Sequence, residues 1–147
     1  MEFTPDELAG IVGLFGALTS EELMTACQEL AYRQTGQSVA NATLQATIED
    51  AETSYILVNT EIDGRESYVV GPAAFPEIPE GGRDLPHMLD LSHCTVNRQE
   101  IAEELLERFL GQEIDIERES AIELSYDLES WTNIDASDLR EHVESLP

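Results

Sequence analysis

One short segment of the sequence, residues 84–94, concentrates the side chains that could bind a metal ion. Imidazole, carboxylate and thiolate groups are the usual zinc ligands in proteins, and the segment supplies them at His87, Asp90, His93 and Cys94. Their spacing follows none of the known zinc motifs, so we expect these residues to pack near a turn and the protein to need no cofactor. A small metal-binding protein or metalloenzyme centred on His87, His93 and Cys94 is one alternative.

No other part of the sequence carries a catalytic signature. The stretch Gly81-Gly82-Arg83 lacks the lysine and the hydroxyl group of a phosphate-binding loop. Cys27 falls on the apolar side of a predicted helix, and no cationic residue flanks it to stabilise a thiolate. Carboxylates are so numerous that no pair is informative without a pocket that shifts its pKa. We therefore predict that the protein is not an enzyme.

The charge of the chain is strongly unbalanced. It carries 31 acidic residues and 7 basic ones, all of them arginine, and its formal net charge is -24. Such a charge destabilises a compact fold in dilute buffer by self-repulsion, whereas in molar salt the Debye length falls to about 3 Å and the repulsion is screened. The composition is therefore typical of a protein that folds in concentrated salt. Two alternatives are a disordered chain and an acidic surface that mimics a phosphate backbone.

Neither a membrane span nor a signal peptide is predicted. The longest apolar stretch, Leu8 to Leu18, has helical periodicity but is shorter than the ~20 residues that cross a bilayer. The first residues are acidic, where a signal peptide has positive charge. The two cysteines do not make a disulfide framework. We therefore expect a cytoplasmic protein.

Three helices are predicted in the first part of the chain. Thr4 with Glu7, and Thr19 with Glu22, form the capping-box pattern that begins a helix. A third helical pattern covers residues 41–54. Since glycine leaves room for another backbone, we expect close packing at three evenly spaced positions of the first helix, Gly10, Gly13 and Gly16.

The strongest β signal follows these helices. Two β-rich runs, 55–62 and 65–70, flank the pair Asp63-Gly64, which favours a two-residue hairpin turn. The prolines and glycines that come next predict a connector without regular structure over residues 77–96.

The last third of the chain, residues 97–147, is predicted to be an acidic helical region. Asn97 is placed to cap a helix. The alternating apolar residues of 122–128 favour a strand, or else an exposed irregular segment. A short final helix is predicted from Ser137 to Leu146. From Gln99 onward there are fifteen acidic residues and three arginines.

Three helices followed by a tight hairpin, over residues 4–73, resemble a winged helix. We therefore predict a mainly α (α+β) protein with a winged-helix-like region at 1–76, the connector at 77–96, and the region 97–147, either separate or packed on the first as one domain. In winged-helix proteins the third helix enters the DNA major groove and the hairpin forms the wing. The resemblance implies a reading helix at 41–54 and a wing tip at Asp63-Gly64-Arg65. If the protein does bind DNA, Arg33 and Arg65 are the residues that we expect to contact it.

The predicted reading helix departs from that pattern. It carries Glu49, Asp50 and Glu52 and no arginine or lysine, whereas phosphate contacts by basic residues supply much of the affinity for nucleic acid. We therefore expect this region to bind another protein. The alternative is that the chain is a DNA-binding transcriptional regulator.

The chain is also similar to a group of small, acidic, uncharacterised proteins of halophilic archaea. Four stretches carry this resemblance: Phe3-Thr-Pro-Asp-Glu-Leu8, Glu29-Leu-Ala-Tyr-Arg-Gln34, Gly71-Pro-Ala-Ala-Phe-Pro76 and Ser125-Tyr-Asp-Leu-Glu-Ser-Trp131. The resemblance implies a salt-rich source and no particular activity.

These observations together predict a regulatory or adaptor protein that acts through another protein. Salt strengthens hydrophobic contact and weakens ion pairing, so apolar groups that stay exposed after folding should make the contact. The apolar residues of the connector and its neighbours are the predicted partner-binding surface, namely Phe75, Ile78, Leu85 and Met88.

Overall fold

The protein is an α+β structure, mostly helical with a small antiparallel sheet. The computed structural model describes residues 2–91, 95–111, 118–132 and 134–144. The chain forms two compact units, Met1–Val96 and Asn97–Pro147. Among the described residues, no helix combines the length and the apolar character that a membrane crossing requires.

The first unit begins with three helices, between which a short strand lies, and continues with a hairpin. Its elements are α1 (Pro5–Phe15), β1 (Ala17–Leu18), α2 (Ser20–Thr35), α3 (Asn41–Thr53), β2 (Leu57–Ile62), β3 (Arg65–Val70), a 3₁₀ turn (Gly82–Asp84) and the short helix α4 (Leu85–Met88). The described part of the second unit contains α5 (Arg98–Gly111), α6 (Arg118–Trp131) and α7 (Ser137–Glu144).

The first two helices begin at the predicted capping boxes. The hydroxyl oxygen of Thr4 accepts a hydrogen bond from the Glu7 N–H, and the Glu7 carboxylate accepts one from the Thr4 N–H. Thr19 and Glu22 make the same reciprocal pair. Each box satisfies two backbone donors that the helix itself leaves without a partner. Both predicted starts are confirmed.

The helical periodicity of the stretch Leu8 to Leu18 extends beyond the end of the first helix. α1 ends at Phe15, and Gly16 takes a positive φ of 90°. The chain then runs as β1 along the edge of β3, where Ala17 pairs with Val69 and Leu18 with Tyr68. Leu18 is nevertheless buried, so its apolar character fits a strand as well as a helix.

The predicted hairpin is confirmed. β2 and β3 pair antiparallel in a register that places Ile62 opposite Arg65. The two turn residues both have positive φ, 52° at Asp63 and 81° at Gly64, as a type I′ turn requires. The strand order is β1-β3-β2, so β3 pairs on both sides.

A hydrophobic core lies between the three helices and the sheet. It is built from helix faces and from the apolar positions of the strands. The largest fully buried side chains of this unit are Phe15, Leu8, Ile11, Leu18, Leu23, Leu30, Leu44, Leu57 and Leu85. Their burial explains why the predicted helical stripes are apolar.

The connector is more ordered than predicted. It contains the 3₁₀ turn and α4, and Leu85 is 0% exposed because it packs into the core of the first unit. The same segment passes directly over α1: a Cβ atom added at Gly10 would lie 1.9 Å from the carbonyl oxygen of Glu77. The close approach predicted at the glycines therefore occurs at Gly10, while Gly13 has only ordinary van der Waals neighbours.

The strand interpretation of residues 122–128 is wrong, because this stretch lies within α6. Among residues 121–131 of α6, the buried positions are Ala121, Leu124, Ser125 and Leu128, at helical spacing. Tyr126, which contributed to the apparent alternation, is exposed instead. At the start of α5, the Asn97 side-chain oxygen accepts hydrogen bonds from Gln99 N and Glu100 N, as its predicted capping role requires.

Candidate interaction surfaces

The four residues of the predicted partner-binding surface divide into two pairs. Phe75 is 80% exposed and Ile78 is 36% exposed. Leu85 lies in the core, and Met88 is half-buried against it. The expectation that Leu85 stays exposed is therefore wrong, because α4 turns its first residue inward. The apolar surface that remains is centred on Phe75 and Ile78.

The backbone that carries Phe75 is fastened to the first turn of α1. A carboxylate oxygen of Asp6 accepts a hydrogen bond of 3.1 Å from the Phe75 N–H. The backbone carbonyl oxygen of Asp6 accepts a second hydrogen bond, of 3.0 Å, from the Glu77 N–H. Gly10 permits this contact by letting the strand-like segment lie directly on the helix. An exposed aromatic ring is thus presented from an anchored backbone.

The predicted metal ligands are not gathered into a site in the part of the chain that the structure describes. His87 and Asp90 are exposed. His93 and Cys94 lie outside the described residues. Across residues 2–91, 95–111, 118–132 and 134–144, no group of three or more histidine, cysteine, aspartate or glutamate side chains is arranged to hold a metal ion. The metal-binding interpretation gains no geometric support from these residues.

Both arginines predicted to contact nucleic acid are paired with carboxylates of α2. Arg33 Nε lies 2.7 Å from a carboxylate oxygen of Glu29, one helical turn away. Arg65 Nη2, beside the hairpin turn, lies 3.6 Å from a carboxylate oxygen of Glu22. Both arginine side chains remain mostly exposed. Their charge is therefore partly neutralised by the protein itself.

The outer face of α3 is acidic and polar. Leu44, Ile48 and Ala51 point into the core, which leaves the opposite face to solvent. That face exposes Glu49 and Asp50. An anionic helix face repels a phosphate backbone rather than attracting it.

Cys27 has the properties of a core residue. It is fully buried on the inner side of α2. Burial, followed by the nearby Glu7 carboxylate, raises the pKa of its thiol to about 12. A thiol with such a pKa is protonated at neutral pH and is a poor nucleophile, so the prediction that Cys27 is structural agrees with its surroundings.

Sequence reasoning missed a groove along the outside of α2. The groove has a volume of about 680 Å³, within the range of ligand pockets. Its lining comes from one face of α2, from the loop before α3 and from the first residue of α3: Glu21, Met24, Thr25, Gln28, Glu29, Tyr32, Ser38 and Asn41. The available signal was the spacing of Glu21, Gln28 and Tyr32 on one helical face, but nothing in the sequence indicated where the loop would lie.

Comparison with known proteins identifies the chain at the level of family. A family model described as a family of unknown function, DUF7109, matches residues 6–146, and the chain belongs to that family. Searches of curated proteins and of solved structures find no match.

Proposed function

We propose that this DUF7109 protein is a non-enzymatic regulatory or adaptor protein that binds another protein through the surface formed by Phe75 and Ile78. The observation that carries the proposal is the 80% exposure of the Phe75 ring on a backbone fastened to Asp6. Aromatic residues are enriched where proteins meet, because they bury a large apolar area. Covering such a ring with a partner would remove its apolar area from water, which favours binding.

The proposal includes a winged-helix-like arrangement of the first unit. Its support is the order α1-β1-α2-α3-β2-β3 with β3 in the middle of the sheet, since a winged helix likewise places a hairpin after its third helix. DNA binding is the alternative use of such an arrangement. The acidic face of α3 and the carboxylate partners of Arg33 and Arg65 argue against it.

We also propose that the protein works in concentrated salt, as in the cytoplasm of a halophilic archaeon. The support is compositional: 31 acidic residues, no lysine and a net charge of -24. Screening removes the repulsion between these carboxylates in molar salt. The same conditions strengthen contact between apolar groups, which favours recognition through Phe75 and Ile78.

Affinity purification of the full chain from its native cells, in about 2 M potassium chloride, tests the proposal. Bound proteins and bound nucleic acid are quantified together. We expect a protein recovered in near-equal molar amount, and we expect its loss from Phe75→Ser and Ile78→Ser variants whose melting temperatures are unchanged.

Tyr126→Ser is the matched control, because Tyr126 is also an exposed aromatic residue but lies in the second unit. The control should retain the partner. Recovery of the same proteins with Phe75→Ser would refute the proposed surface, and recovery of nucleic acid alone would favour the DNA-binding alternative.

A further inference from the structure

The groove along α2 has a chemical character that differs from the Phe75 surface. It combines carboxylates, an aromatic ring and a thioether on one helical face. The Tyr32 ring is 64% exposed, and Met24 is half-buried against the core. None of the ion pairs between described residues involves Glu21. The groove thus offers carboxylates along its length and an exposed aromatic ring near one end.

The wall of the groove is fixed by Gln28. Its side-chain oxygen accepts a hydrogen bond of 2.8 Å from the Val39 N–H. Its amide nitrogen donates to the Val39 carbonyl and, at 3.1 Å, to the side-chain oxygen of Asn41. One side chain therefore holds the loop before α3 against α2. The groove is a formed feature of the first unit.

We propose that this groove binds a basic peptide segment of a partner protein, with arginine or lysine side chains alternating with apolar ones. Glu21 and Glu29 provide the complementary charge. The Tyr32 ring offers a cation–π contact, which is available to a cation lying over its face. Met24 offers an adaptable apolar contact for the residues between the cations.

The dimensions of the groove favour a peptide over a small cation. Glu21 and Tyr32 are eleven residues apart on α2, which corresponds to about 16 Å along a helix. An extended peptide of about five residues covers that length. A single compact cation would occupy only one end and leave either Glu21 or Tyr32 without a contact.

The occupant does not come from a lysine of this chain, since the sequence has none. Arg33 is already paired with Glu29. Glu21 is therefore the carboxylate that is more available to a cationic side chain of the peptide. Screening in molar salt shortens the range of attraction to about 3 Å. Recognition in salt therefore needs direct contact and apolar support, both of which this groove provides.

Fluorescence anisotropy of a labelled pentapeptide tests the proposal, with the full chain as titrant in about 2 M potassium chloride. The probe alternates arginine and leucine, and a second probe replaces each arginine with glutamate. We expect binding of the first probe only. Tyr32→Ala and Glu21→Gln should each weaken binding about threefold or more, as expected for losing a cation–π contact or a close charge pair.

Two matched variants control for general effects of charge and aromatic content. Glu80→Gln removes one exposed carboxylate outside the groove, and Tyr126→Ala removes one exposed aromatic ring from the second unit. Both should bind the probe as the unchanged protein does. Equal weakening by Glu80→Gln, or full displacement of the probe by equimolar spermine, would overturn the proposal in favour of non-specific attraction of cations.

The outcome is separable from that of the Phe75 surface. Phe75→Ser leaves the lining of the groove intact, so that variant should bind the pentapeptide normally. Failure of the peptide test with success of the co-purification test would reject the groove alone.

Discussion

Arg140 connects the last two helices of the second unit through several contacts at once. Its guanidinium lies 2.7 Å from one carboxylate oxygen of Glu129 and 3.3 Å from the other. It also donates to the Ser125 hydroxyl and lies over the Tyr126 ring, 4.4 Å from the ring centroid. The Ala136 N–H donates to the same carboxylate. A bidentate arginine pair of this kind is more specific in geometry than an ordinary surface ion pair.

The contacts of Glu129 predict a pH-dependent stability. Hydrogen bonding to Arg140, and then to the Ala136 N–H, lowers the pKa of Glu129 below its ordinary value. Since the folded state lowers this pKa, the stabilisation is present above the unfolded-state pKa and is lost as the pH falls through the folded-state pKa. As the pH is lowered below the ordinary glutamate pKa of about 4.3, the melting temperature of Glu129→Gln should therefore fall less than that of the unchanged protein.

Carboxyl chemical shifts measured by NMR check the cause directly. Arg140→Ala should raise the pKa of Glu129 toward its ordinary value, although the Ala136 contact remains. Arg108→Ala is the matched control, because Arg108 pairs with Glu104 in α5. An unchanged Glu129 pKa in Arg140→Ala would contradict the argument.

At the scale of elements, the two capping boxes set where α1 and α2 begin. β1 is only two residues long, Ala17 and Leu18, and lies immediately before the Thr19 cap. Because β1 pairs with β3, the cap of α2 also fixes how the sheet edge joins the helix. Loss of this cap should therefore destabilise the pairing of β1 with β3 as well as the first turn of α2.

Thr19→Ala is expected to lower the free energy of unfolding by about 1 kcal/mol, the usual effect of removing a threonine cap. Denaturant titration in molar salt measures the change. Thr25→Ala is the matched control, because it makes the same chemical change at an exposed position within α2. The control should be neutral or slightly stabilising, since alanine has the higher helix propensity. An equal loss in both variants would disprove the capping role.

Elements with local signals could be predicted from the sequence, and those that depend on distant partners could not. The capping boxes and the Asp63-Gly64 turn involve residues three apart or adjacent, so both were identified. β1 has no pattern of its own and exists because β3 offers it an edge. In residues 122–128, alternating apolar residues concealed the helical spacing of Leu124 and Leu128.

The candidate surfaces likewise depend on contacts between distant residues, which the local sequence does not indicate. Apolar character identified Phe75 and Leu85 equally, yet one is exposed and the other buried. Only the path of the connector over α1 separates them, and that path depends on contacts between residues about seventy apart in sequence. The groove along α2 likewise depends on where Gln28 holds the loop.

For the molecule as a whole, the dominant feature is the surplus of carboxylates. Burial, and after it the neighbouring Glu123 carboxylate, raises the pKa of Asp127 above its ordinary value. Few of the described carboxylates have an arginine within ion-pair distance. Folding therefore confines like charges that the unfolded chain could keep apart.

Raising potassium chloride from about 0.1 M to about 2 M should increase the melting temperature by at least 10 °C, roughly 3 kcal/mol for a chain of this size. Calorimetry or circular dichroism measures the shift. Sucrose at matched osmolality is the control, since it favours compact states without screening charge. A cooperative transition at the same temperature in both salt concentrations would refute the role assigned to the acidic surface.

The two hydrogen bonds that Asp6 accepts, from the Phe75 N–H and the Glu77 N–H, have a thermodynamic consequence. Ordering a backbone residue costs about 1–2 kcal/mol, and a loop that orders only upon encounter subtracts that amount from the affinity of the complex. Here the ordering is completed when the chain folds, because both Phe75 and Glu77 are already bonded to α1. A partner that covered the ring would therefore meet a backbone segment with little conformational entropy left to lose.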